Sequence, residues 1–355
     1  MATFYLGVSR CLDACALDEV ARLVEEYCGC SLTGVYGEFL RVSCESEEEA
    51  VACALRADCV REVIREVGTL PWDDLGKQFP LEKLSEIFSK VASPLRGDRS
   101  SLKLCVEFYD PQSRLCAHLR ESISNALLEA LRQDGIHVVP SRSLPDLIVW
   151  IGVLDSVTLG LKLQTVRGDR FEPRAPGKRV YERPFALKAE LARLLVNLSS
   201  PLLKGPLLDP FCGTGSVLIE AALEGIYAVG VDINYDNVRG ARRNALQLGV
   251  YHGLDIILSD SVLMPFRSGA FEAAAFDPPY GRAASSARRS PALVLAQVLS
   301  ELKRVLKNKG RAAFLAPSSG DYAFLGDLAI RICSIYVHSS LTREVWLFTV
   351  GVGDE

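Results

Sequence analysis

Four short stretches carry residue types able to do chemistry, and each contains an aspartate. The first is Asp209-Pro210-Phe211-Cys212-Gly213-Thr214-Gly215-Ser216. Gly213 and Gly215 allow a sharp turn and a close backbone approach to a ligand, because no Cβ stands in the way. Free N–H groups at the start of a helix following such a loop favour an anionic group such as a carboxylate. Asp209 beside it suits an ammonium. A loop offering both signs, with Phe211 and Cys212 on its path, fits an amino-acid zwitterion better than a pyrophosphate. The dinucleotide fingerprint would also want a third glycine, where this chain has Leu218. Taken alone, such a glycine loop is also an ordinary structural turn. Next come Asp232-Ile233 and Asp260-Ser261. A carboxylate closing the second strand of a nucleotide-binding sheet can take both hydroxyls of a ribose. One closing the third is placed to accept from an adenine amine. Singly, each is as readily a turn carboxylate; their recurrence at successive strand ends favours a nucleoside.

The fourth stretch is Asp277-Pro278-Pro279-Tyr280-Gly281. Asp277 and Pro278 each precede a proline and are pushed towards extended backbone. The prolines cannot donate, so carbonyls and the Asp277 carboxylate form a stiff row of acceptors. Tyr280 adds a flat face for stacking. Acceptors beside a ring suit an exocyclic –NH2 held in a fixed plane. This reading requires the tetrapeptide to lie close to the glycine turn, with its carboxylate not committed to a buried salt bridge.

The elements that must position these residues alternate strand and helix, the signature of a parallel, doubly wound sheet. Expected strands are 206–209, 227–232, 254–259, 271–277, 311–316, 331–338 and 344–350. Expected helices are 216–224, 236–248, 291–307 and 322–330, so all four stretches fall just after strands. Ligands in such sheets sit at the carboxyl ends of strands near the topological switch point. The front half reads as α+β. Its expected strands are 3–9, 35–42, 102–109, 137–139, 146–153 and 156–163, with helices at 18–27, from about Glu47, and at 117–133.

The 355 residues carry a net charge of −4, so no global positive field draws the chain to nucleic acid or membrane. Charge is nevertheless uneven. Residues 1–100 hold 11 basic and 18 acidic side chains, whereas between Lys162 and Arg193 nine Lys/Arg face four Asp/Glu. That stretch, broken by Gly168, Pro173, Pro176, Gly177 and Pro184, reads as a linker whose Arg170, Arg174, Lys178 and Arg179 contact phosphates, or equally as a solvated connector. No apolar run reaches the ~20 residues of a membrane span, and the start, Met1-Ala2-Thr3-Phe4, lacks a basic signal-peptide flank, which points to the cytosol. The 11 cysteines are odd in number and lack zinc spacing, so reduced thiols and no metal are expected.

The motifs Asp209–Ser216 and Asp277–Tyr280 resemble the cofactor and catalytic loops of S-adenosylmethionine-dependent amino-methyltransferases. Aspartate at the first catalytic position resembles enzymes that methylate guanine N2 in RNA. The run Arg183-Pro184-Phe185-Ala186-Leu187-Lys188 resembles the segment that closes over the cofactor, with Phe185 as a contact. Together with the front half, the chain resembles the archaeal tRNA guanine-10 N2-methyltransferases. The resemblance implies a ferredoxin-like domain over 1–95, a THUMP RNA-binding domain over 96–165, a basic linker over 166–185 and a Rossmann-like seven-stranded methyltransferase domain over 186–355. It further implies S-adenosylmethionine as cofactor, tRNA as substrate, and a small zinc-binding activator subunit as a partner of some relatives. One departure stands out: after Tyr280-Gly281-Arg282 relatives commonly carry a hydroxyl residue, and here the residue is Ala283, with Ser285 and Ser286 further on. Arg282, Arg288 and Arg289 in that loop are further RNA candidates. Alternative readings are another tRNA position, ribosomal RNA, or a non-catalytic RNA-binding protein.

Overall fold

Apolar alternation lays down two sheets in a computed structural model that describes residues 1–9, 13–71, 87, 102–133, 135–175, 177–184, 186–199, 205–280, 290–318, 322–338 and 341–351. In chain order the front elements are β1 (Ala2–Val8), α1 (Asp13–Arg22, continued by a π turn Leu23–Tyr27), β2 (Ser31–Tyr36), β3 (Phe39–Cys44), α2 (Glu47–Arg56), β4 (Val60–Pro71), β5 (Leu102–Tyr109), α3 (Ala117–Gln133), β6 (Val138–Pro140), β7 (Leu147–Val153) and β8 (Ser156–Thr165). After a short 3-10 helix, Gly168–Arg174, come α4 (Ala189–Ser199), β9 (Leu207–Asp209), α5 (Ser216–Leu223), β10 (Ala228–Asp232), α6 (Tyr235–Gln247) and β11 (Leu254–Leu258). The chain closes with β12 (Phe271–Phe276), α7 (Pro291–Val305), β13 (Leu306–Pro317), α8 (Leu325–Leu328), β14 (Ala329–His338) and β15 (Leu341–Thr349).

The chain divides into two units. The first comprises Met1–Val8, Cys30–Ala54 and Val60–Val166 and holds an eight-stranded sheet in the order β2-β3-β1-β4-β8-β7-β5-β6. Two features of it escape sequence reading. The strand expected over 35–42 is a hairpin, because Gly37 takes φ 61° and turns the chain between Tyr36 and Phe39. The strand β4, unforeseen, pairs with both β1 and β8. Its charged residues interrupt the alternation that would have marked it. The residues 95 and 96, where two domains were expected to meet, lie outside the described residues.

The second unit comprises Arg167–Glu355 together with Ser9–Gly29 and Leu55–Cys59. Its seven strands run β11-β10-β9-β12-β13-β15-β14. The pairings from β11 to β13 are parallel, and β15 is antiparallel to both β13 and β14. Both faces are buried, so neighbouring residues serve opposite cores. Leu207, Ala275, Ala313 and Leu315 join α4, α5 and α6 on one face; Leu208, Ala274, Phe276, Ala312 and Phe314 join α7 and α8 on the other. The helix expected over 322–330 shrinks to Leu325–Leu328, because β-branched Ile330 and Ile332 continue into β14. Chain order reverses beside β9: β10 and β11 lie on one side, β12 on the other. That switch opens a crevice at the carboxyl end of β9. Among the described residues no helix is long and apolar enough to cross a membrane.

The two N-terminal segments complete this unit. The amide of Asn197 in α4 donates to Glu19 of α1 at 2.5 Å and to the Arg56 carbonyl at 3.2 Å. Cys15 is disulfide-bonded to Cys333 of β14, and Cys30 to Cys44 in the first unit. These bonds correct the expectation of reduced thiols. The second pair becomes adjacent only through the β2–β3 register, in which Ser31 faces Ser43. Replacing Cys15 and Cys333 together by alanine should lower unfolding free energy by about 2–4 kcal/mol. Denaturant melts of both forms, with and without reductant, check it; a wild-type midpoint unmoved by reductant contradicts it.

Candidate active site

Strand β9 delivers Asp209 into the crevice at its end. The carboxylate is almost fully buried and accepts a hydrogen bond from the Phe211 N–H at 3.0 Å. Burial pushes its carboxyl well above the usual range, and the charges of Asp232 and Asp277 push it further. A cation entering the crevice would reverse that balance. The next residues turn through Gly213 (φ 49°) and Gly215 (φ 86°) into α5. At Gly215 a Cβ would stand 3.0 Å from that of Ala241 on α6, so helix and loop meet there without a side chain between them. Gly215→Ala therefore combines crowding with a left-handed φ, a strain of order 1–3 kcal/mol. It should raise the dissociation constant of an adenosine-type ligand several-fold by calorimetry; unchanged binding would show the turn is not a contact surface.

The Asp232 carboxylate is a splint as well as a candidate ligand group. It accepts from Gly213 N–H at 2.9 Å and Asn237 Nδ2 at 3.1 Å on one oxygen, and from Asn234 N–H at 2.8 Å on the other. Glycine loop and α6 are thus fixed to one carboxylate, which keeps one of its roughly four lone-pair sites open. Ile233 beside it is exposed, an apolar surface at the rim. Asp260 accepts from Val262 N–H at 3.1 Å, and Ser261 is buried. Cys212 is buried, and burial together with Asp209 and Asp232 pushes its thiol well up, so it packs as a neutral group.

Strand β12, next to β9, delivers Asp277. The Phe211 and Phe276 rings, 5.8 Å apart, join the two loops from behind. Pro278 is buried, and Pro279 and Tyr280 are half-buried. The Tyr280 hydroxyl donates to Asp277 Oδ1. Arg343 Nη1 lies 3.6 Å from Asp277 Oδ2, and its guanidinium sits 5.4 Å from the centre of the Tyr280 ring. At 3.6 Å this is an ion pair without a hydrogen bond. The carboxylate therefore faces a buried arginine, against the expectation, yet keeps acceptor capacity. Burial raises the Asp277 carboxyl, while Arg343 and the Tyr280 hydroxyl draw it back down.

The linker arginines are a correction. Arg179 is buried and donates to Ser216 Oγ at 2.7 Å and Thr214 Oγ1 at 3.2 Å, bracing the glycine loop instead of facing phosphate. Arg174 pairs with buried Glu220, and Arg170 donates to the Leu55 carbonyl at 2.7 Å. Only Lys178 of the four is exposed, 3.8 Å from Glu172. Composition exposed the positive excess but not the internal acceptors that take it up. Phe185, Arg282, Arg288 and Arg289 lie outside the described residues. Sequence reasoning also missed Asn244, buried in α6. It donates to the Tyr181 and Thr214 carbonyls and accepts from Tyr181 N–H, all at 2.9 Å, clasping the linker to the loop.

The model of the RMKL-like methyltransferase domain matches residues 176–325. A tRNA (guanine(10)-N2)-dimethyltransferase from Pyrococcus abyssi is 31% identical over 237 residues, covering 65% of this chain and 70% of the relative. The chain belongs to that family. A second member, from Methanothermobacter thermautotrophicus, is 34% identical over 194 residues, covering 54% of this chain and 57% of its own length. Thus the chain spans little more than half the length of some relatives it matches. In fold it resembles the crystal structure of TrmN from Thermus thermophilus, with a TM-score of 0.54 at 18% identity, covering 98% of this chain and 99% of that one. The family's archaeal relatives match the resemblance drawn from the two loops.

Proposed function

We propose that this protein is an S-adenosylmethionine-dependent tRNA methyltransferase acting on the exocyclic N2 of guanosine, at position 10, once or twice. The observation that carries the proposal is the placement of Asp277 beside Asp209 and the glycine turn at the switch point of a sheet in a chain of that family. The donor set suits the cofactor. Three carboxylates, Asp209, Asp232 and Asp277, gather at one crevice, where they favour a ligand carrying both an ammonium and a sulfonium. Asp209 would take the ammonium, the turn at Gly213 and Gly215 the carboxylate, Asp232 the ribose, and Asp260 with Ser261 the adenine amine, against exposed Ile233. Phe211, Cys212 and Phe185 would line the same pocket.

Bound there, S-adenosylmethionine supplies an activated methyl group. The chain's own task is the amine, whose lone pair is delocalised into the guanine ring. Asp277 and the Pro278 carbonyl would accept its two N–H bonds and favour a pyramidal nitrogen, with Asp277 receiving the proton released on transfer. Pro279 stiffens the loop and Tyr280 packs the base plane. Alignment of this kind is worth up to ~7–11 kcal/mol. A base that starts stacked and paired must first be flipped out, at a cost of roughly a few kcal/mol. We assign the RNA grip that offsets this to the front half, as a ferredoxin-like domain (1–95) and a THUMP domain (96–165), with Lys178, Arg282, Arg288 and Arg289 as phosphate contacts. The free edge of β11, where Leu258 is exposed, is the surface we assign to a small activator subunit.

Incubation with tRNA and S-adenosylmethionine, followed by mass-spectrometric nucleoside mapping, tests the reading. Methylated N2-guanosine at position 10 is expected. The same product elsewhere in tRNA or only in ribosomal RNA would move the substrate, and binding without methylation would leave an RNA-binding protein. Asp232→Ala should weaken cofactor binding about tenfold, consistent with loss of a charge-assisted hydrogen bond. Equal dissociation constants in calorimetry would remove Asp232 from the pocket.

A further inference from the structure

Arg343 reaches the crevice from an unexpected direction. Strand β15 runs antiparallel to β13, and Arg343 pairs with Pro317 at the end of β13. Since β12 lies on the far side of β13, two inter-strand spacings of about 4.8 Å separate Arg343 from the strand that carries Asp277. The side chain crosses that gap while remaining almost fully buried. A solvent-seeking arginine at a strand end would turn outward; this one places Nη1 3.6 Å from Asp277 Oδ2 and its guanidinium over the Tyr280 ring. Among the described residues its Nε finds no hydrogen-bond partner. Such a burial is costly for a charge unless an opposite charge offsets it. Among the described residues, no other cation lies within ion-pairing distance of Asp209, Asp232 or Asp277.

We propose that Arg343 is the positioning residue of the reaction: its charge keeps Asp277 ionised as a proton acceptor, and its guanidinium plane holds the Tyr280 ring. The inference rests on the proposed role of Asp277. The groups facing that carboxylate are the Tyr280 hydroxyl on its own loop, Arg343 from β15 and Asp209 from β9, with Tyr322 behind Tyr280. Of these only Arg343 is a cation. Burial favours the protonated form of Asp277, which would donate where the amine needs an acceptor. The arginine offsets it.

Arg343→Gln removes the charge and keeps a planar polar head. In the apo protein, the carboxyl carbon of Asp277, assigned by its absence in Asp277→Asn, should titrate about 1–2 pH units higher in R343Q, the range for losing an adjacent opposite charge. In turnover, the acid limb of kcat should move up by the same amount. The loss should reach tenfold or more near that limb and shrink at high pH, whereas a merely structural defect lowers kcat evenly. Arg343→Lys restores the charge without the plane, so the limb returns to its wild-type position while kcat stays several-fold low. An unmoved titration with an unmoved limb in R343Q overturns the proposal. If R343Q does not fold, R343K decides: a limb displaced upwards by a unit, or an unchanged kcat, overturns it. Should the wild-type protein make no methylated guanosine, the functional reading falls, and the carboxyl titration still judges the coupling.

Discussion

Asp277→Ala should reduce methyl transfer at least about a thousandfold, the scale for removing a positioned acid–base group, while cofactor affinity stays within a few-fold of wild type. Two variants are needed because alanine does more than delete an acceptor. It leaves the Arg343 guanidinium buried opposite nothing, a loss that registers as stability. The second variant, Asp277→Asn, keeps the shape and one carbonyl acceptor and removes only the charge and the proton-accepting step. If charge matters most, both variants fall to the same floor. If an acceptor suffices to orient the amine, Asp277→Asn retains activity that Asp277→Ala loses. Single-turnover transfer to a tRNA transcript, beside calorimetric titration of S-adenosylmethionine, separates these outcomes. Wild-type turnover in either variant would discard the assigned role. Neither Asp209 nor Asp232 is placed to stand in, since each already serves hydrogen bonds of its own loop.

The second large effect concerns stability. Glu220→Gln should lower unfolding free energy by about 3–5 kcal/mol, the cost of breaking a buried ion pair from one side. Glu220 lies on α5, directly behind the glycine loop, and is only 1% exposed. It accepts from Arg193 of α4 at 2.9 and 3.1 Å, and pairs with Arg174 from the 3-10 helix. Arg193 also pairs with Glu224, which lies 3.7 Å from Arg56. Removing the Glu220 charge leaves three arginines, Arg56, Arg174 and Arg193, with Glu224 as the remaining carboxylate of the network. Urea melts of Glu220→Gln beside the double replacement Glu220→Leu and Arg193→Met check the argument. The single variant should be the less stable of the two, because an unpaired buried charge costs more than an apolar pair of similar volume. A Glu220→Gln midpoint equal to wild type would show that water reaches the network.

Legibility in the sequence followed how local the determining physics is. Strands β5 and β9–β12 and helix α3 were readable to within a residue or two, because their apolar pattern and flanking punctuation lie within the segment. The two loops were readable for the same reason: glycines where φ must be positive, prolines where acceptors must be stiff. By contrast, β4 emerged only from its partners β1 and β8, and the helix expected over 18–27 starts five residues earlier, at Asp13, and turns to π over Leu23–Tyr27, as it packs against α4 and β14. Arg343 gave no signal, since an arginine followed by a glutamate in a late strand looks like a solvated edge. The linker arginines misled in the opposite sense: a positive run is visible in one dimension, while the carboxylate and carbonyls that satisfy it come from α5 and the 55–59 segment.

The disulfide between Cys15 and Cys333 has a consequence for biogenesis. Its partners are 318 residues apart, so the first is translated long before the second. At ~5–20 residues per second, helix α1 leaves the ribosome on the order of 15–60 s before its strand exists. During that interval its apolar side, and the sockets for it on α4, must be shielded by something other than each other. A gene encoding only 167–355 would make that exposure permanent, so the catalytic half is expected to require the early peptide, supplied in cis or as a separate fragment, to remain soluble.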